Sequence, residues 1–398
     1  GSSGLRSAQT ALNTTAHNLS NVNTQGYTRQ QVTFTDTTYA NVFSSSIVPG
    51  KYGLGVDIGA ISRVRNDFID RSYRTEYSRL GFYESQANAV YEVEDWFGEM
   101  QGVTYQQHIT DLYNSINELT KNPTSTIARS SLIQNATAFI DRSQAIYSGL
   151  KDYQITLNTE VSSMVDKINE LGQKIYSLNK SISKVEAGGV ERANDLRDTR
   201  DLALDELSQY LDIDYYETTD GQIIISAENI PFVSKSEVNT MDVRQEGQYG
   251  LLIPEWPAYE KDVFSFEKAA SNANNNDKGK LKGLLVARGT IDVNYQDVPV
   301  MPDKSDYDLT TAEGMAQYNS AMDDYQKQQD YYNKYIEPSA ILSAIAGFDK
   351  LVNGIVTALN DVLCPEKEIT LDAPLTDSEG NEIAAAKYTY KASSNAVL

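Results

Sequence analysis

One cysteine, two histidines and two tryptophans are all that 398 residues hold of those types. A single thiol, Cys364, excludes an internal disulfide framework. It stands beside Pro365 with both histidines far away in the first third of the chain, so it reads as a small buried apolar residue and not as a nucleophile. Cations are scarce too: 34 Lys and Arg face 55 Asp and Glu, a net charge of −21. That balance excludes nucleic-acid binding built on phosphate contacts, and an anionic membrane surface would repel the chain. No uninterrupted apolar run approaches the roughly 18 residues of a membrane span. No charged-then-apolar start reads as a cleavable secretion signal, so export would use another route.

Groups fit for catalysis are missing as well. His17 lies in a helical lead-in and His108 opens a short helix, and each reads as a surface or packing residue. There is no His-Glu-x-x-His string, and no cysteine or histidine spacing suits zinc. Gly50-Lys51-Tyr52-Gly53-Leu54-Gly55 lacks the third glycine of a phosphate cradle and reads as a turn feeding a strand at Val56-Asp57-Ile58. Carboxylate pairs such as Glu92 with Glu94 and Asp323 with Asp324 are expected in so acidic a chain. Asp377 to Glu382 is a fragment of a calcium-loop pattern and reads better as a hairpin turn. No catalytic, cofactor-binding or metal residue is assigned.

Heptads are what the chain has in abundance. Ile133, Ala136, Ile140, Ser143, Tyr147, Leu150, Gln154, Leu157, Val161, Met164, Ile168, Leu171, Ile175, Leu178, Ile182 and Val185 alternate three and four, and only Ser143 and Gln154 are polar. At 1.5 Å per residue that seam predicts a helix of roughly 80 Å, passing through Gly172 and stopped by Gly188-Gly189. Further helices are predicted over about 65–99, over Ile109 to Leu119 with a stop at Asn122-Pro123, and over about 193–211. In the last of these Leu196, Ala203, Leu207 and Leu211 point inward, and Asp195, Arg197, Asp198, Arg200, Asp201, Asp205 and Glu206 mostly form a solvated face. Tyr318, Met322, Tyr325, Gln329, Tyr332 and Ile336 line one more helix, broken at Glu337-Pro338. The seam then returns from Ile341 to Val362.

Between 212 and 298 the period falls to two. Ile213 to Glu217 and Gln222 to Ser226 flank Thr219-Asp220-Gly221, a strong hairpin signal. Pro231 to Val233, Tyr249 to Ile253 and Leu284 to Val286 read as strands, and strand signals resume at Glu368 to Leu371 and Lys387 to Lys391. The fold class is therefore mainly α with α+β: a long antiparallel helical bundle with an inserted β-rich domain and an extended N-terminal segment. The boundaries fall at 1–64, at 65–211 with 311–364 for the bundle, at 212–310 for the β-rich insert, and at 365–398 for the start of a further β-rich segment. The excess of tyrosine, 26 against 10 Phe, suits subunit contacts that stay partly wet.

The start of the chain is the most informative part. Leu5, Ala8, Leu12, Thr15, Ala16 and Leu19 make one apolar stripe on an otherwise polar helix, and such a stripe wants a partner. Asn21, Asn23 and Gly26 should end that helix, because they hydrogen-bond locally and tolerate positive φ. Tyr27 to Phe34 then alternates as a strand. The whole string Asn18-Leu19-Ser20-Asn21-Val22-Asn23-Thr24-Gln25-Gly26-Tyr27-Thr28-Arg29-Gln30 resembles the N-terminal signature of flagellar axial proteins, the rod, hook and hook-associated subunits of a hollow extracellular tube. Rod and hook proteins tend to continue into Gly-Phe-Lys, whereas the ending Gly26-Tyr27-Thr28-Arg29-Gln30 resembles a hook-associated subunit. Asp195-Leu196-Arg197-Asp198-Thr199-Arg200-Asp201-Leu202-Ala203-Leu204-Asp205-Glu206-Leu207-Ser208 is similar to an Asp-Gln-Arg-Asp-containing helix of the same subunit.

The resemblance implies a structural, non-enzymatic subunit at the hook-filament junction, exported without a cleavable signal to the extracellular flagellum. Its implied partners are other copies of itself, hook protein, the next hook-associated junction protein, and the export machinery with a chaperone. Nucleic acid, membrane and cofactors are absent from that set. Asn18, Asn21, Thr24, Gly26 and Tyr27 are the expected polymer-contact motif, with a purely intramolecular capping role as the alternative. Competing readings are another axial protein (hook, rod or flagellin) and a surface adhesin or enzyme on a helical stalk. In the family a C-terminal heptad helix pairs with the N-terminal one. Here the sequence stops in strand-like residues at Leu398, so it reads as truncated, with Gly1-Ser2 a cloning scar, and it is expected to be soluble and largely monomeric.

Overall fold

A computed structural model describes residues 2–37, 39–42, 50–53, 55–98, 104–189, 192–247 and 250–363, together with short strands at 366–370, 375–376, 382–384 and 387–391. Cys364, Pro365 and the turn at 377–381 lie outside the described residues. In chain order the elements begin with α1 (Ser2–Ser20), β1 (Gln30–Asp36), β2 (Tyr39–Val42), β3 (Gly50–Gly53), β4 (Val56–Arg63), α2 (Asp67–Phe97), α3 (Tyr105–Lys121), α4 (Thr126–Glu186) and α5 (Asn194–Tyr210). Then come β5 (Ile213–Glu217), β6 (Ile223–Ala227), β7 (Ile230–Val233), β8 (Asp242–Glu246), β9 (Leu251–Trp256), β10 (Lys261–Asp262) and α6 (Lys280–Arg288). The described chain closes with α7 (Ala312–Tyr335), α8 (Ala340–Leu363), β11 (Glu366–Thr370), β12 (Leu375–Thr376), β13 (Glu382–Ala384) and β14 (Lys387–Lys391). This is the mainly α architecture with small antiparallel sheets that the periodicities predict.

The chain divides into two compact units. The first takes residues 1–85, 160–246 and 252–284, and the second takes the rest. In the first unit, two asparagines of α4 fasten strand backbones to the helix. Asn179 donates to Ile223 O at 2.7 Å and accepts from Ile223 N at 3.0 Å, and Asn169 does the same with Met241 at 2.9 Å in each direction. Between them Phe232, in the β5-β6-β7 sheet, lies so close over Gly172 that a Cβ there would stand 2.5 Å from its ring. A glycine inside the heptad seam thus makes room for a strand. The hairpin between β5 and β6 turns at Gly221, whose φ is +76°.

In the second unit the two polar seam positions are both buried and both bonded. Ser143 Oγ lies 3.1 Å from the Tyr105 hydroxyl, and Gln154 donates 3.1 Å to Arg288 O. Tyr105 also sits edge-on to Phe348 of α8 at 5.2 Å, and Phe97 meets the same ring at 5.2 Å. The seam of α7 is half-buried at Tyr318, Met322, Tyr325, Gln329 and Tyr332. The break at Glu337-Pro338 separates α7 from α8. Helix α8 is long and apolar enough to cross a membrane. Ile341, Leu342, Ile345, Ala346 and Phe348 bury its first half, as in the core helix of a folded unit.

One element departs from expectation. Leu284-Leu285-Val286 reads as a strand, yet it lies in α6. A short apolar run carries no period of its own, and here Gly279 at φ +87° and Gly289 at φ +80° bracket a nine-residue helix.

Candidate functional site

Helix α1 is amphipathic in the sense opposite to a core helix. Its inward face carries Ser7, Thr14, Thr10 and Asn18, and Ser7 Oγ donates 3.2 Å to Val56 O of β4. Its apolar stripe points away: Leu5 is 77% exposed, Leu12 64% and Leu19 73%, and Val22 just beyond is 71% exposed. The β1–β4 hairpin on which α1 rests pairs Gln30 with Arg63 and carries a bulge between Thr33 and Phe34.

The asparagine-rich turn closes that helix back on its hairpin. Asn18 Nδ2 donates to Gln30 O at 2.9 Å, while its Oδ1 accepts from Gln30 N at 2.9 Å and from the Tyr27 hydroxyl at 2.7 Å. Asn21 donates 3.0 Å to His17 O and accepts 3.1 Å from Thr24 Oγ1. Gly26 has φ +79° and packs against Leu202 of α5, where an added Cβ would stand 3.2 Å from that side chain. All five residues expected from the sequence therefore belong to one local structure, held by bonds within the chain.

That structure sits on the second motif. Thr28 N donates 3.0 Å to Asp198, and Gln30 Nε2 donates 3.2 Å to Asp195. Asn194 Nδ2 donates 3.0 Å to Ile61 O of β4. Burial raises the Tyr27 hydroxyl pKa, and the charges of Asp195 and Asp198 push it the same way.

The charges of α5 correct the expectation of a solvated face. Asp198, Asp201 and Asp205 recur at three and four, so they share one side of the helix. Arg63 donates to Asp198 at 2.8 Å and to Asp201 at 2.6 Å, and Arg74 donates to Asp205 at 2.7 Å. Arg65 bonds Asp70 at 2.7 Å and stands 3.4 Å from Asp201. Arg197 and Arg200 leave on a neighbouring side. Arg197 meets Glu186 at 2.7 and 2.8 Å and Glu217 at 2.7 Å, while Arg200 donates to Gly221 O at 2.6 Å and to Asn179 at 3.0 Å. Arg197, Asp198, Arg200 and Asp201 are buried. Only Asp195 and Glu206 keep much exposed side chain.

The electrostatics follow from that packing. The Arg197 bond pulls the Glu186 carboxyl down to about 2, against the opposing effect of burial. Burial lowers Arg200 to about 10 and raises Asp205, the latter against the attraction of Arg74. These side chains are bonded to one another across the chain, so the arrangement holds segments together. Among the described residues no group of three or more His, Cys, Asp and Glu could hold a metal ion. The arginines at 63, 65 and 74 are the residues that sequence reasoning missed. The three-four spacing of the α5 aspartates was the available signal.

Residues 90–303, more than half of the chain, match the family described as flagellar hook-associated protein FlgK helical domain. The chain belongs to this family. Residues 1–28, which include α1 and the asparagine turn, match the family described as flagella basal body rod protein. Flagellar hook-associated protein 1 of Bacillus subtilis (strain 168) is 29% identical over 335 residues, covering 79% of this chain and 64% of the relative. Its namesake in Escherichia coli (strain K12) is 27% identical over 228 residues, covering 57% of this chain and 41% of the relative. The chain thus spans less than two thirds of these relatives. A solved structure, the flagellar hook junction protein FlgK from Burkholderia pseudomallei, has 18% identity and a TM-score of 0.45, covering 55% of this chain and 38% of that one.

Proposed function

We propose that this chain is a structural subunit of the bacterial flagellum at the hook-filament junction, acting through self-assembly and through contacts with hook protein on one side and the next hook-associated protein on the other. The observation that carries this reading is α1, which buries Ser7 and Thr14 and leaves Leu5, Leu12 and Leu19, with Val22 just beyond it, in water. Burying one such side chain is worth about 1.5–3 kcal/mol, so a row of four is a strong attachment surface once a partner covers it. The family membership supports the flagellum as its place; export through the flagellar machinery with a chaperone belongs to the same proposal.

On this reading the motif of Asn18, Asn21, Thr24, Gly26 and Tyr27 serves polymer contact by shape. It fixes the angle at which α1 leaves β1 and so aims the leucine stripe outward. On this reading the role is structural, with the charges of α5 bonded within the chain to Arg63, Glu186 and Glu217. The test is removal of residues 4–34 from the native gene in a flagellated cell. The expected outcome is loss of attached filaments while the secreted variant keeps the helical circular dichroism of α2 to α8; normal filaments would refute the assignment.

A further inference from the structure

Away from α1, the first unit contains a cleft of about 780 Å³ lined by four lysines, Lys261, Lys268, Lys278 and Lys282, in a chain of net charge −21. Four acids share the lining with them, Asp212, Glu228, Asp262 and Glu267, and the first three are already engaged. Asp212 lies 3.1 Å from Lys278, Asp262 lies 2.8 Å from Arg244, and Glu228 accepts the Asp212 amide at 3.1 Å. Glu228 is set by a two-residue turn between β6 and β7, in which Glu228 and Asn229 have φ of 48° and 65°.

Lys282 stands apart. It is 7% exposed, lines the cleft, and has neither hydrogen bond nor ion pair among the described residues. Burial of its side chain lowers its pKa. The opposing charge it feels most is that of Glu228, whose carboxyl burial raises to about 7.

We propose that this cleft binds a carboxylate, held by Lys282 at its floor and by Lys261 and Lys268 at its mouth. Phe264 and Phe266 offer apolar wall to the carbon chain that bears it. A carboxylate fits better than a phosphate because Lys278 is already neutralised and no arginine fork lines the cleft. The carboxylate comes either from a small free acid or from an acidic side chain of another copy of this chain, whose 55 Asp and Glu supply many.

Calorimetric titration with succinate and with inorganic phosphate, at fixed ionic strength, tests the first source. Sedimentation velocity over a range of protein concentrations tests the second. The expected result is saturable succinate binding that weakens at least tenfold in Lys282→Met, or concentration-dependent association that Lys282→Met abolishes, with Lys327→Gln on α7 unchanged in either assay. Lys268→Gln, an exposed position, should weaken the same process about threefold and serves if Lys282→Met fails to fold. Absence of both behaviours, equal behaviour of Lys282→Met and the parent chain, or phosphate binding tighter than succinate would overturn the proposal.

Discussion

Arg63, the last residue of β4, reaches Asp198 on α5 at 2.8 Å, joining positions 135 residues apart in sequence. Asp198 accepts the Thr28 amide with its other oxygen. One carboxylate thus holds β4 and the segment that leads into β1, and with them the helix that rests on the hairpin.

Replacing Asp198 by Asn should cost about 1–3 kcal/mol, because the half-buried Arg63 loses one of its two carboxylate partners, keeping Asp201, and the Thr28 amide loses its charged acceptor. Asp195, largely exposed, is the control, and its change to Asn should stay within about 0.5 kcal/mol. Urea unfolding followed by circular dichroism checks both, and equal effects would contradict the role given to Asp198.

Two helix glycines should respond oppositely to alanine. Gly354 in α8 has open space where a Cβ would go, so Gly354→Ala should stabilise by about 0.5–1 kcal/mol. Gly172 in α4 has the Phe232 ring there, and overpacking of about 1–3 kcal/mol outweighs the gain in helix propensity. Thermal melting of the two variants decides the sign of each.

The pH dependence has two limbs. Glu186, held down to about 2 by Arg197, contributes stability that is full above its ordinary 4.5 and is lost as pH falls toward 2. Glu228, raised to about 7 by burial, binds more protons folded than unfolded, so its contribution is full below 4.5 and is lost as pH rises to about 7. Each limb is on the order of 1–3 kcal/mol. Glu186→Gln should flatten the acid limb and Glu228→Gln the neutral one, read from urea midpoints between pH 3 and 8.

Helices with a long period were legible in the sequence because a heptad seam repeats one physical demand many times, as α4 and α8 do. Even the seam's polar exceptions, Ser143 and Gln154, kept their register by finding partners. Short runs such as Leu284 to Val286 repeat nothing, and the helix there depends on turns at its two ends. The ion pairs of α5 were illegible for a different reason. Asp198, Asp201 and Asp205 look like a solvated face until Arg63, Arg65 and Arg74 arrive from elsewhere in the chain. The stripe of α1 was visible, but that the chain leaves it bare, and buries Ser7 and Thr14 in its place, required the structure.

Leucines that nothing covers are cheap to change in the isolated chain and costly only where a partner uses them. Leu12→Asp with Leu19→Asp, introduced into the native gene, separates these cases through one count, the number of attached filaments per cell by electron microscopy. The account predicts bare hooks with shed filaments, while the purified variant unfolds within about 0.5 kcal/mol of the parent. Filaments in normal number on cells carrying the double variant would contradict it.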